Sequence, residues 1–355
     1  MRIEPGNKKL QYEGRIDWTN ADAPVFVFPC TFVRMRFTGR RLSVYVKNRG
    51  IYWENYLGCI LDKRQTKLRL PDEGETCIEI AVDFVGGSRK NGEEENGVHE
   101  ILLFKRQDAC HEVTFLGFEI DDGGEILELP PRPDRKIEVY GDSVSAGEVS
   151  EAVEYTGKPD PVHNGQYSNS WYSYAWMTAR KLDARIHDVA QGGIALLDGT
   201  GWFHAPALIG METVWDKIHY NPEFGPSSDW DFAQYTPQVV LVAIGQNDSH
   251  PEDYMKEDSS CPRAVYWRHR YKDFLKKIRG KYQDAWIVCI TTLLEHDSSW
   301  DKAIEAACRE MNDEKVRHFM FRRNGKGTPG HLRISEAEEM AEELSEYLEG
   351  LNIAW

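Results

Sequence analysis

KIEVYGDSVSAGE, residues 136–148, opens with the alternating tetrad Ile137-Glu138-Val139-Tyr140 and breaks at Gly141-Asp142-Ser143. Alternation reads as a strand, and glycine followed by small polar residues reads as a tight turn. A strand that stops at glycine and presents a serine on the next turn exposes a nucleophile at the edge of a sheet. Gly-Asp-Ser is also an ordinary turn tripeptide. The chemistry therefore depends on whether the chain supplies partners for Ser143.

Downstream, strands alternate with helices. ARIHDVA (184–190) is a short strand ending near Gly192-Gly193. PQVVLVAIG (237–245) and AWIVCIT (285–291) are continuous apolar runs, as expected of strands buried on both faces of a parallel sheet. Helical spacing appears in WYSYAWMTARKL (171–182), in Trp267, Tyr271, Phe274, Leu275 and Ile278, and in Ala303, Ile304, Ala307, Cys308 and Met311. The last helix shows Ser335-x-x-Glu338 as a capping box, an apolar face of Met340, Ala341, Leu344 and Leu348, and Gly350 as its stop. This alternation predicts a three-layer α/β/α, flavodoxin-like domain, whose site forms beyond the carboxyl ends of the strands.

Upstream, VFVFPCTFVRMRF (25–37), RLSVYVK (41–47), CIEIAVDF (77–84) and EVTFLGFEI (112–120) are β-rich and separated by turns, predicting an all-β jelly roll or β-sandwich. GGSRKNGEEENG (86–97) reads as an exposed loop. LPPRPDRK (129–136) reads as a stiff linker, so the expected domains are 1–130 and 131–355.

The 355 residues carry a net charge of −15. That disfavours nucleic acid or an anionic membrane as partner, since phosphate binding needs a basic footprint. Seven scattered cysteines without a Cys-x-x-Cys pair argue against a disulfide framework or a zinc site. No apolar leader is visible at the N-terminus and no run is long enough to span a membrane, so the expected location is the cytoplasm. His-x-x-x-His, His-Glu-x-x-His, a phosphate loop and a dinucleotide fingerprint are all missing, so neither metal nor cofactor is expected.

A serine hydroxyl needs a base within reach and donors aimed at the oxyanion it creates. His331 stands in TPGHLRIS, just before the last helix. Gly245-Gln246-Asn247-Asp248 offers an amide at a strand end, and Gly192-Gly193 offers a backbone N–H that no side chain shields. The order GDS, strand-end glycine, GxND and a late His followed by Met340-Ala341 resembles the SGNH, or GDSL-like, hydrolases. With the β-domain, the RKIEVYGDS junction and GFEIDDG, nearly the whole chain resembles carbohydrate esterase family two, a jelly roll followed by an SGNH domain. That resemblance implies Ser143 as nucleophile. It implies an oxyanion hole of the Ser143 and Gly193 N–H groups with the Asn247 side chain, and His331 as base and then acid. The implied substrates are acetylated oligosaccharides of the xylan and mannan type. Many superfamily members carry Asp three residues before the His; here that position is Thr328. The expectation is therefore a Ser–His dyad, its ring held by a backbone carbonyl of Thr328, Pro329 or another loop.

Other residues have plainer roles open to them. His250 is a rival base or polar lining, and His163 and His204 could touch substrate. His187, on a strand, reads as packed. The inserts 149–170 and 197–235 are aromatic-rich; single aromatics there read first as core or as a homo-oligomer contact. Trp202, between Gly199, Gly201 and Pro206, is the best substrate wall. Asp142 and Asp248 read as loop-holding carboxylates. Rival functions are a thioesterase or lipase on small acyl esters, disfavoured by the lack of an apolar lid, and a glycan-binding protein without catalysis.

Overall fold

The computed structural model describes residues 1–82 and 97–355. Of the segment read as an exposed loop, 86–96 lies outside the described residues, as do positions 83 and 84 of the strand-like run 77–84. The chain divides into two compact units, Met1–Arg132 and Pro133–Trp355.

The first unit is built of antiparallel strands in two sheets. One runs Ile16–Asp17, Val25–Phe26, His111–Ile120, Arg41–Gly50, Glu73–Ala81, with Arg2–Ile3 beside His111–Ile120. The other runs Ile126–Leu127, Phe32–Thr38, Val98–Lys105, Tyr56–Leu61, Arg64–Arg69, with Gln11–Glu13 beside Phe32–Thr38. Strand alternation puts Leu42, Val44 and Val46 of one sheet and Val33, Met35 and Phe37 of the other into a single apolar cluster, while Arg41 and Lys47 face out. The predicted β-sandwich is the observed architecture.

The second unit holds a five-stranded sheet, all parallel, in the order Arg185–Ala190, Lys136–Gly141, Val239–Ala243, Trp286–Cys289, Val316–His318. Every residue of Val239–Ala243 is buried, as its unbroken apolar run requires. Helix Tyr174–Lys181 packs on Ile334–Glu349, and Pro262–Lys281 packs on Ser298–Glu310. Strand order reverses at Lys136–Gly141, so the turn that follows it lies at the switch point, where such sheets open a crevice. The edge strand Val316–His318 had no sequence signal; three residues are too few for a periodicity.

The last helix corrects one expectation. It spans Ile334–Glu349 and its N-cap is Arg333, not Ser335. Glu336, at the third helical position, accepts from the Arg333 backbone N–H at 3.2 Å. Met340, Ala341, Leu344 and Leu348 are buried as read. Among the described residues no helix is long and apolar enough to cross a membrane.

Candidate active site

Lys136–Gly141 ends at Asp142, which caps the short helix Ser143–Ala146 by accepting from Val144 N–H at 3.0 Å. The cap fixes the turn, and Ser143 is 5% exposed at its tip. Among the described residues Ser143 Oγ carries no hydrogen bond. The other Asp142 oxygen accepts from Gln246 Nε2 at 2.8 Å and Asn247 Nδ2 at 3.3 Å, so the GxND loop is tied to the serine turn. Burial pushes the Asp142 carboxyl up, partly offset by these donors.

The glycine loop is tied in turn to GxND. Asp248 accepts from Leu196 N–H at 3.0 Å and from Trp267 Nε1 at 2.7 Å. Full burial lifts the Asp248 carboxyl to about 6. Gly193 has φ 72°, and a Cβ there would lie 2.8 Å from Trp202 Cβ, so only glycine fits. Its carbonyl accepts from Trp202 N–H at 2.7 Å, while its own N–H finds no acceptor among the described residues.

Asn247 is more committed than a free oxyanion donor would be. Its amide gives one hydrogen to Ile194 O at 3.0 Å and the other to Asp142 at 3.3 Å. The second contact is long and falls on an oxygen already held by Gln246, so it is the one a developing oxyanion could replace. On that reading Asn247→Ala should lower kcat about 10²–10³-fold with KM little changed. An equal loss in KM would mark Asn247 as a loop brace only.

His331 departs from expectation. Among the described residues no backbone carbonyl holds its ring. Nδ1 instead meets Asp160 Oδ2 at 2.7 Å, and the His331 backbone N–H donates to Asp160 Oδ1 at 3.1 Å. The predicted dyad is thus corrected to a ring paired with a carboxylate from the insert 149–170. Asp160 is built into place. Arg333 Nη1, on a fully buried side chain, donates to it at 2.9 Å and also holds His331 O at 2.6 Å. Gly330 leaves room for it: φ is +94° and a Cβ there would stand 2.8 Å from the Asp160 carboxyl carbon. Thr328, where an orienting Asp was sought, donates to Glu336 Oε2 at 2.6 Å and accepts from Gly157 N–H at 3.0 Å. It fastens the insert that carries Asp160. Burial raises the Asp160 carboxyl, but His331 and Arg333 outweigh it and hold the group well below the usual carboxylate range.

Desolvation pulls the His331 imidazole down, but Glu148, Asp160 and Asp142 push it further the other way, to about 9. On its far edge Nε2 stands 3.8 Å from Glu148 Oε2. No hydrogen bond joins His331 to Ser143; such bonds often tighten only when substrate is bound.

Among the described residues His250 makes no hydrogen bond to the serine turn. It stacks on Trp202, centroids 3.3 Å apart, and Trp202 is 60% exposed beside the Gly193 carbonyl. His204 is occupied by Ala207 O at 3.1 Å and His187 stacks on Tyr235. Phe203, Trp215, Tyr220 and Trp230 are buried core. Asp160, Arg333 and Glu148 were missed. Each is a single charged residue outside any periodic pattern, and no sequence signal separated them from solvated charges.

Residues 12–130 match the family described as Carbohydrate esterase 2 N-terminal. The cellulase/esterase CelE of Acetivibrio thermocellus is 29% identical over 350 residues, 96% of this chain. The chain is similar to family two carbohydrate esterases. It spans 39% of the length of that cellulase/esterase. The acetylxylan esterase / glucomannan deacetylase of Cellvibrio japonicus is 27% identical over 287 residues, 81% of this chain and 72% of that protein. A solved family two carbohydrate esterase from Clostridium thermocellum, in complex with cellohexaose, has TM-score 0.78 and 26% identity, covering 96% of this chain and 98% of that one.

Proposed function

We propose that the chain is a serine esterase that removes O-acetyl groups from acetylated plant cell-wall oligosaccharides of the xylan and mannan type. The observation that carries this is the Asp160–His331 pair, whose Nε2 edge faces Glu148 of the strand-end turn that bears an unbonded Ser143 Oγ. A relative named acetylxylan esterase / glucomannan deacetylase supports the substrate class.

In the first half-reaction Ser143 Oγ gives its proton to His331 Nε2 and attacks the acetyl carbonyl. The oxyanion is met by the Ser143 and Gly193 N–H groups and by the Asn247 amide once it leaves Asp142. Collapse breaks the bond to the sugar oxygen, which takes the proton from His331. Water then gives a proton to His331 and attacks acetyl-Ser143; the proton returns to Ser143 Oγ as acetate leaves. Asp160 holds the imidazole with Nδ1–H toward itself and Nε2 free to work. Trp202 presents a flat, exposed ring on which the C–H face of a pyranose can stack, next to the Gly193 donor.

Acetate release from acetylated xylo- and manno-oligosaccharides, from a small acetyl ester and from long-chain acyl esters tests the reading. The first two substrates should be cleaved and the third hardly at all. Turnover of long acyl esters without acetyl-sugar cleavage would point to a lipase, and sugar binding without any turnover to a binding protein; either result sinks the proposal.

A further inference from the structure

Glu148 has no part in the Ser143, His331 and Asp160 arrangement, yet it faces the working edge of the ring. Its backbone N–H donates to Ser143 O at 2.9 Å, so it belongs to the nucleophile's own turn. The next residue, Val149, has φ 55°, a left-handed conformation that β-branched side chains rarely adopt. Complete burial of Val149 and a 3.4 Å bond from its N–H to Ser168 Oγ hold it there. Strain kept by packing beside a site is a reason to ask what the turn presents. It presents a carboxylate on a mostly buried side chain, 12% exposed, 3.8 Å from His331 Nε2.

We propose that Glu148 is a positioning residue that competes with Ser143 for the Nε2 edge of His331 and so sets the acid limb of the pH–rate profile. The inference rests on the reading of Ser143 and His331 as nucleophile and base. A carboxylate at this distance stabilises the protonated ring, whereas the base must be neutral to take the serine proton. The other groups acting on the ring are Asp160 and His163 from the insert, Asp142 from the strand end, and Arg333 at the helix start. Arg333 is engaged by Asp160, and His163 is itself pushed down by burial, then by His331. With the imidazole at about 9, roughly one molecule in a hundred has a neutral ring at pH 7. Activity should then rise with pH and level off only above about 9.

The test compares pH profiles of kcat/KM on a small acetyl ester for wild type, Glu148→Gln and Glu148→Asp, with NMR titration of the His331 ring in each. Glu148→Gln should move the acid limb down by about one pH unit, an increase of about tenfold at pH 7. Glu148→Asp, which keeps the charge, should stay closer to wild type. An unmoved limb in Glu148→Gln, an equal shift in both variants, or a change in KM alone would overturn the proposal. If Glu148→Gln folds but does not turn over, the NMR midpoint decides: it should fall, and an unmoved midpoint overturns the proposal. Failure of the underlying reading would appear separately, as esterase activity surviving in Ser143→Ala.

Discussion

Ser143→Ala should all but abolish acetate release, with kcat falling about six orders of magnitude. No other group replaces the hydroxyl. Ser145, the nearest alternative in sequence, is fully buried and bonded to Tyr174 Oη at 2.8 Å. The strand-end turn itself should survive, because its cap is Asp142 and the lost Oγ holds nothing among the described residues. Circular dichroism should therefore be unchanged while the acetyl adduct seen by mass spectrometry in quenched wild type disappears. His331→Ala should cost a similar amount, and the double variant little more than either, since nucleophile and base act as one unit. Activity retained in Ser143→Ala would remove the mechanism.

Asp160→Asn should lower kcat by about four orders of magnitude on a small acetyl ester. The hydrogen-bond demand at the site fixes how the amide would sit. Arg333 Nη1 and the His331 backbone N–H both require an acceptor at the Oδ1 position, at 2.9 and 3.1 Å. The amide oxygen must go there, which leaves the NH2 facing His331 Nδ1, where Oδ2 now sits at 2.7 Å. Nδ1 would become an acceptor, the ring proton would move to Nε2, and the imidazole could no longer take the Ser143 proton. KM should change little. If Asp160→Asn and Asp160→Ala are both near wild type, the ring is oriented by something else.

How much of this could be read from residues alone follows from range. Lys136–Gly141 and Val239–Ala243 announce themselves because strand burial imposes a local pattern. Ser143, Gly193 and Asn247 are legible because each follows such a strand, and the sheet brings its carboxyl ends together. Asp160 is illegible for the opposite reason. It sits in an insert without periodicity, and its partner is far along the chain. Thr328 misled because the sequence shows a missing carboxylate there. It does not show that the hydroxyl in its place fastens Gly157, and with it the loop that brings a carboxylate from elsewhere. The capping box at Ser335 failed more simply: the helix starts two residues sooner, and Glu336 rather than Glu338 reaches back.

The contact that holds the His331 ring joins residues 171 positions apart. Closing so long a loop carries an entropic cost that grows with its length, repaid only once the intervening sheet has formed. Asp160 meets His331 only where the insert docks on the loop before the final helix, through Gly157 and Thr328. A chain with its sheet assembled but its insert undocked would lack the carboxylate that holds the ring.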